Sequence, residues 1–237
     1  MKLSSPIYKL KRRARMLARA DGIRLHEALN RIAAGEGFES WSHMAAGYAD
    51  ATPARRILRS ISAGEMVLIA ARPGHGKTLL GLELAVLAGE IGRQGYFFSL
   101  EYTKSDVQRR LAALGAANLS DTGALIVDTS DDICAEHVTK IIEQRDCAAL
   151  AVIDYLQLLD QRRSHPPLEA QVRDLRAFAR AKGAVVCLIS QVDRSFDLTE
   201  RDWPAVDDVR LPNPLDLSLF DRLCFLHDGN IRMERAG

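Results

Sequence analysis

The chain has 237 residues, of which 47% are hydrophobic and 27% are charged, and its net charge is +1. This composition is typical of a globular protein and excludes a collagen-like or largely disordered chain. The apolar runs are too short to span a bilayer and the basic N-terminus has no apolar signal core, so we expect a cytoplasmic protein. Four cysteines, Cys134, Cys147, Cys187 and Cys224, are far apart and lack metal-ligand spacing, so we expect reduced thiols.

Charge divides the chain near residue 50. Residues 1–49 carry nine Lys and Arg against four Asp and Glu, a net charge of +5, so the remainder sums to −4. Apolar residues recur here at three- and four-residue steps, which predicts three short helices packed around Phe38 and Trp41. We therefore predict a basic helical unit over residues 1–50. Its stripe from Lys9 to Arg19 either contacts nucleic-acid phosphates or is an ordinary solvated helix face.

From residue 55 onward, apolar runs that resemble strands alternate with helical stretches. The predicted strands cover residues 66–70, 96–100, 124–127, 150–153 and 184–189. The predicted helices cover residues 79–91, 104–114, 135–144 and 168–182. This alternation predicts an α/β fold over residues 55–237, with a mostly parallel sheet flanked by helices. Ligands of such folds bind at the carboxyl ends of the strands.

A glycine-bearing turn follows the first predicted strand. It reads ARPGHGKT, and its members are Ala71, Arg72, Pro73, Gly74, His75, Gly76, Lys77 and Thr78. In a phosphate-binding loop the glycines let backbone N–H groups approach an anion, Lys77 reaches the β- and γ-phosphates, and Thr78 ligates Mg²⁺. The turn departs from the usual pattern only at Ala71, where glycine is usual. We therefore predict a site for ATP and Mg²⁺, with His75 exposed and without a chemical role.

Polar residues stand at the ends of three further predicted strands. Asp154 closes the run LAVI, where a carboxylate can complete a magnesium shell. Because Tyr155 rather than an acid follows it, the base that activates the attacking water must come from elsewhere, and Glu101 after YFFSL is the candidate. Gln191 would position the γ-phosphate. The alternatives are structural: strand-end polar residues, or in the case of Glu101 a helix-start acid before Thr103.

Four segments resemble one family when taken in order. ARPGHGKT, FFSLEYTKSDVQRRL, VIDYLQLL and RDLRAFARAKGAVVCLISQVDR are similar to successive motifs of the ATPase domain of DnaB-type replicative DNA helicases, within the RecA-like group. The resemblance covers residues 55–195 and implies a RecA-like P-loop core in which the site residues keep the roles given above. It adds Arg194 to the last motif. It also implies a homohexamer with ATP at subunit boundaries and single-stranded DNA in the central channel.

Contact with single-stranded DNA is expected from two loops. The first, DQRRSHPPLEAQ, carries Arg162 and Arg163, and the second carries Arg194 near Phe196 and Trp203. Arginines neutralise phosphates and aromatic rings stack on bases, although arginine is also common in loops of any function.

The chain departs from the family pattern after the fifth predicted strand. It reads DDVRLPNPLDLSLFDRLCFLHDG, where two prolines predict an irregular turn, and it is expected to lack the family segment with a trans-acting arginine. Possible substitutes, or ordinary surface residues, are Arg210, Arg222, Arg232 and Arg235. Three functions stay open: a DnaB-like ATP-driven DNA motor, an ATP-dependent regulatory or assembly module with slow turnover, and a small-molecule kinase.

Overall fold

The computed structural model describes residues 3–5, 7–50, 52–159, 165–211 and 213–236. The chain divides into two compact units, Met1–Arg56 and Ile57–Gly237. Within the described ranges, no helix combines the length and the hydropathy that crossing a bilayer requires.

The first unit consists mainly of three helices. These are α1 (Ile7–Asp21), α2 (Leu25–Gly35) and α3 (Trp41–Asp50), in agreement with the predicted periodicity. Leu10, Ala33 and Met44 are fully buried at the centre, whereas Phe38 and Trp41, predicted as the core, are only partly buried and pack against these three residues. Because Leu10 and Ala14 face this core, the basic residues between and after them lie on the exposed face of α1.

The second unit is built from seven strands and the helices that connect them, with α4 (Pro53–Ser60) leading into it. The strands are β1 (Met66–Ala71), β2 (Gln94–Ser99), β3 (Leu125–Asp128), β4 (Ala149–Asp154), β5 (Val185–Gln191), β6 (Arg222–His227) and β7 (Asn230–Arg235). The connecting helices are α5 (Lys77–Leu87), α6 (Lys104–Ala113), α7 (Ala135–Glu143) and α8 (Leu168–Lys182). The predicted helix over residues 79–91 is thus shorter, because its last turn, Ala88–Ile91, is a 3₁₀-helix.

All seven strands form one sheet in the order β3-β2-β4-β5-β1-β6-β7. Every neighbouring pair is parallel except β6 and β7, which form an antiparallel hairpin. In the register, Ala71 lies opposite Gln191, and Ser99 lies opposite Asp154. The carboxyl ends of β2, β4, β5 and β1 therefore meet at one edge of the sheet, which confirms the predicted fold class and the grouping of the strand ends.

Helices cover both faces of the sheet. Helix α5 packs so closely on one face that a Cβ atom on Gly81 would lie 2.5 Å from Ile189 and 2.9 Å from Val152. Alternate strand residues point to the opposite face, where Val186 and Leu188 share a buried cluster with residues of α7 and α8. Strands β1, β2, β4 and β5 are consequently buried on both sides, as their continuous apolar sequences require, whereas β3 lies at the edge of the sheet and is only partly buried.

The C-terminal segment contains two strands that were not predicted from the sequence, after the proline-containing stretch. It adds β6 directly beside β1, and β7 then pairs with β6 as an edge strand. At the amino end of β6, Arg222 donates two hydrogen bonds to Glu65, at 2.8 and 3.1 Å. Arg222, one of the arginines considered as a substitute for a trans-acting arginine, is therefore engaged in holding β6 next to β1.

Candidate nucleotide site

The loop between β1 and α5 has the backbone of an anion cradle. Gly74 and Gly76 have φ values of 81° and 85°, in the left-handed region that residues with a Cβ atom rarely adopt. The loop returns through a hydrogen bond from the His75 N–H to the Arg72 carbonyl, at 3.2 Å. Helix α5 then begins at Lys77, so its free N–H groups and the positive end of its dipole face the loop. This arrangement can bind a phosphate chain.

Lys77 is buried at the start of α5, and its ammonium group lies near two residues that follow strands β2 and β4. Its Nζ lies 3.6 Å from a carboxylate oxygen of Glu101 and 5.3 Å from the centre of the Tyr155 ring. Glu101 follows β2 and Tyr155 follows β4, so three separate segments converge on this one charge. The lysine predicted to hold phosphate and the acid predicted to activate water are neighbours.

Asp154, the last residue of β4, is fully buried. Neither of its carboxylate oxygens has a hydrogen-bond partner among the described residues. Burial raises the pKa of Asp154 to about 6 and Glu101 adds to the rise, while the Lys77 charge and the Thr78 hydroxyl, which approaches the carboxylate without the geometry of a full hydrogen bond, offset part of it. A buried carboxylate with both oxygens unpartnered is costly unless a cation balances it, which is the environment expected of a metal ligand.

Glu101 does not have the helix-start role that was its structural alternative. The N-cap of α6 is Thr103, whose side chain accepts from the N–H of Asp106, and the Asp106 side chain completes the capping box. Glu101 precedes this cap, is 38% exposed, and directs its carboxylate toward Lys77. Its side chain is thus available at the carboxyl edge of the sheet.

Gln191, at the end of β5, lines a pocket of about 450 Å³ beside the phosphate loop. The other residues of this pocket are Arg72, Pro73, Val192, Asp193, Arg194 and Arg210. Arg72 forms an ion pair with Asp197, whereas Arg194 is exposed. The predicted γ-phosphate residue therefore lies next to Ala71 in a pocket rich in arginine.

A larger cavity, of about 600 Å³, opens at the opposite edge of the sheet. Its lining includes Cys147, Phe178 and Lys182, near the amino ends of β4 and β5. None of the predicted site residues lines it. The phosphate-loop edge is therefore the candidate site because the predicted site residues lie there, although its pocket is smaller than this cavity.

The other residues predicted from the sequence differ in where the structure places them. Thr78 is buried beside Lys77 in the first turn of α5. His75 is half-buried rather than exposed, because its ring stacks on His227. Arg162 and Arg163 lie outside the described residues.

Two residues at the site, Tyr155 and Gln157, were not identified from the sequence, and Arg210 was expected only as a possible substitute for a trans-acting arginine. Tyr155 places its ring under Lys77, and Gln157 donates to the Ser190 hydroxyl at 2.7 Å and to the Arg210 carbonyl at 2.5 Å. Arg210 in turn donates its N–H to the Gln191 carbonyl at 2.8 Å. A buried glutamine two residues after a strand-end tyrosine is a weak signal in one sequence, since its partners lie more than thirty residues away.

A phosphate cradle, a buried unpartnered carboxylate and an acid beside the cradle lysine, on one edge of a parallel sheet, are the features of a P-loop nucleotide-binding fold. A family model for an AAA domain, AAA_25, matches residues 40–209. This match spans more than half of the chain, and the chain belongs to the AAA_25 family.

Curated relatives agree with this class. The replicative DNA helicase DnaB of Helicobacter pylori is 26% identical over 204 residues, which cover 73% of this chain and 42% of that protein. The replicative DNA helicase DnaB of Geobacillus stearothermophilus is 29% identical over 189 residues, covering 65% of this chain and 41% of that protein. The resemblance to the ATPase domain of DnaB-type helicases is confirmed, and the chain spans about two fifths of the length of these relatives.

Solved structures share the fold. A solved ATPase domain, 21% identical, matches with a TM-score of 0.58 and covers 78% of this chain and 80% of that chain. A DnaB-like replicative helicase, solved in a study of its interactions with primase, is 20% identical and matches with a TM-score of 0.60 over 92% of this chain and 66% of that chain. The RecA-like core predicted from the sequence is therefore confirmed.

Proposed function

We propose that this chain binds and hydrolyses ATP with Mg²⁺, as a DnaB-like P-loop ATPase. The observation that carries the proposal is the convergence of Lys77, Glu101 and Asp154, which come from three different strand ends of one sheet edge. Transfer of a phosphoryl group to water requires a lysine that binds the phosphates, an acid that activates the water and an acid that binds the metal ion.

Thr78 and Asp154 would hold the magnesium ion. Mg²⁺ takes hard oxygen ligands, and a P-loop hydroxyl together with a strand-end carboxylate supplies two of them. The two unpartnered oxygens of Asp154 fit this role, because a cation would offset the cost of burying their charge. Bound magnesium would neutralise charge on the β- and γ-phosphates.

Lys77 and Glu101 would have separate roles in the reaction. The lysine, 3.6 Å from Glu101, would bind the β- and γ-phosphates and so take a new partner for its charge. Glu101 would then accept a proton from the attacking water, and Gln191, from the neighbouring β5, would contact the γ-phosphate. The phosphates would lie on the cradle formed by Ala71, Arg72, Pro73, Gly74, His75 and Gly76.

Replacing Lys77 tests the binding half of the proposal. Lys77→Ala removes the buried positive charge at the cradle, so we expect ATP affinity to fall at least tenfold, measured with a fluorescent ATP analogue in Mg²⁺. Arg109→Ala, which removes an exposed basic residue of α6, is the matched control and should bind normally. Unchanged affinity in Lys77→Ala would reject the site.

Replacing Glu101 tests the chemical half. Glu101→Gln keeps the shape of the side chain but cannot accept a proton, so turnover should fall by roughly 10²- to 10⁴-fold while ATP still binds. Phosphate release and analogue binding are measured on the same preparation. Normal turnover in this variant would show that another group activates the water.

We further propose that the chain acts on single-stranded DNA as a helicase or translocase, within a homohexamer. Similarity to replicative helicases supports this, as do the exposed basic face of α1 and the exposed Arg194. Arg162 and Arg163, outside the described residues, would contribute further phosphate contacts.

Two measurements test this second proposal. One is the rate of ATP turnover with and without single-stranded DNA, and the other is the mass of the protein in solution in the presence of a non-hydrolysable ATP analogue. Stimulated turnover and a hexameric mass are expected. Slow, DNA-independent turnover by a smaller species would instead favour an ATP-dependent regulatory or assembly module.

A further inference from the structure

Two histidines and one aspartate converge beside the phosphate loop, outside the proposed magnesium shell. His75 lies in the loop, His227 is the last residue of β6, and Asp228 begins the turn to β7. One donor atom from each of the three side chains lies within 4.8 Å of the other two. Oδ1 of Asp228 lies 3.9 Å from Nδ1 of His75, and Oδ2 of Asp228 lies 3.8 Å from Nε2 of His227.

The sheet itself brings these residues together. Strand β6 runs parallel to β1 with Leu226 opposite Ala71, so His227 and the phosphate loop leave the same edge on neighbouring strands. The left-handed residues Asp228 and Gly229, with φ values of 47° and 74°, then turn the chain tightly into β7. The carboxylate is thereby kept at the rim, next to the loop that carries His75.

Aromatic contacts fix the ring of His227. It stacks on His75 with ring centroids 5.4 Å apart, and it makes edge-type contacts with Phe196 and Trp203 at centroid distances of 5.6 and 6.0 Å. Its Nδ1 is buried and has no hydrogen-bond partner among the described residues. Nε2 is therefore the nitrogen that faces Asp228 and the rim.

Two imidazoles and a carboxylate are the ligands of zinc and related transition metals rather than of magnesium. Bonds of about 2.0–2.1 Å to a tetrahedral ion place ligand atoms about 3.3 Å apart. The distances of 3.9 and 3.8 Å run to different oxygens of Asp228, and the three donor atoms lie within 4.8 Å of one another, so binding needs side-chain adjustments of up to about 1.5 Å. The Asp228 side chain is 79% exposed and free to make them. The histidine side chains are partly exposed, at 31% and 24%, which leaves a path for the ion and for a water ligand.

We propose that His75, His227 and Asp228 form a binding site for a divalent transition-metal ion of the zinc class. The bound ion links the phosphate loop to the turn between β6 and β7. Three protein ligands leave a fourth position for water, as in open zinc sites. Because the ion holds two separate chain segments, it stabilises the folded second unit by mass action.

The test uses the full chain, freed of metal, and follows Co²⁺ binding by visible absorption with Zn²⁺ affinity measured by competition. We expect one ion per chain and a thermal midpoint that rises with Zn²⁺ concentration. Asp228→Asn, at an exposed position, and His227→Gln should each weaken Zn²⁺ binding at least tenfold. His26→Gln, which removes an exposed histidine of α2, is the matched control and should bind like the parent chain.

Two results would overturn the site. One is equal Zn²⁺ affinity in the parent chain and in Asp228→Asn, and the other is a near-ultraviolet thiolate band, which would assign the ion to the exposed Cys147. Lys77→Ala separates this proposal from the ATPase proposal, because it removes phosphate binding but no metal ligand. Metal affinity should be unchanged in that variant.

Discussion

Lys77 is positioned at the residue scale by Tyr155 as well as by Glu101. The ammonium group lies 5.3 Å from the centre of the Tyr155 ring, and this half-buried ring limits where the lysine can point. A cation over an aromatic face gains about 0.5–2 kcal/mol, depending on how far it is desolvated. The ring therefore helps to hold Lys77 where the phosphates would bind.

Tyr155→Leu should weaken ATP binding by roughly 2- to 30-fold, because it removes the aromatic face but keeps an apolar side chain. The measurement is the ATP-analogue titration described for Lys77→Ala. Tyr155→Phe keeps the face and serves as the control. If leucine and phenylalanine bound the analogue equally, the ring would have no part in holding the lysine.

The sequence predicts some residues of the site well and others poorly. Lys77 and Thr78 are found because their roles follow from a local pattern within eight residues. Asp154 and Glu101 need the added inference that parallel strands end at one edge. Tyr155 and its contact with Lys77 could not be predicted, since that contact depends on packing between segments almost eighty residues apart.

At the scale of elements, β2 and α5 pack with almost no space between them. A Cβ atom on Gly95 would lie 2.1 Å from the Ala85 carbonyl oxygen, a backbone atom that cannot rotate away. Gly95→Ala must separate the strand from the helix, and we expect it to cost about 1–3 kcal/mol in the free energy of unfolding by urea. Gly89→Ala meets nothing within 4 Å and should be close to neutral. Equal stability of the two variants would contradict this packing.

The ion pair between Glu65, which precedes β1, and Arg222, the first residue of β6, links the two strands. Both side chains are only 17% exposed, and the guanidinium binds the carboxylate through two hydrogen bonds. Glu65→Gln should lower stability by about 2 kcal/mol at neutral pH, measured by chemical unfolding. Glu169→Gln breaks the solvent-exposed pair with Arg173 and should change stability by less than about 1 kcal/mol.

The cost of Glu65→Gln should depend on pH. Burial alone would raise the pKa of Glu65, but hydrogen bonds from Arg222 and Ser62 outweigh it and hold the pKa below its usual value. A carboxylate with a depressed folded pKa stabilises the fold above its unfolded pKa, about 4.3, and loses this contribution as pH falls through the folded pKa. The difference between Glu65→Gln and the parent chain should therefore be full at pH 7 and shrink below about pH 4. A difference that stayed constant would exclude this linkage.

The hairpin of β6 and β7 shows where the prediction of elements failed. The sequence RLCFLHDGN contains a short apolar run and an Asp-Gly pair, which is a hairpin signal. Two upstream prolines predict an irregular turn, but they precede the strand and leave its N–H groups free to pair. The five core strands were found because each has a continuous apolar run and a helix on at least one side.

At the scale of the whole molecule, one edge of the sheet gathers groups from strands that are distant in sequence. The order β2-β4-β5-β1-β6 places Glu101, Asp154, Gln191, the phosphate loop and His227 along this edge. Parallel strands make the gathering possible, because every carboxyl end then faces the same way. Both proposed sites, for ATP with magnesium and for a transition metal, follow from this topology.

The most direct measurement is a crystal structure of the chain with Mg²⁺ and a non-hydrolysable ATP analogue. We predict the triphosphate wrapped by residues 74–78, Lys77 on its β- and γ-phosphates, and the ion between Thr78 and Asp154. Nucleotide bound instead in the cavity beside Cys147 and Phe178, or a Lys77 side chain directed away from the phosphates, would contradict the account.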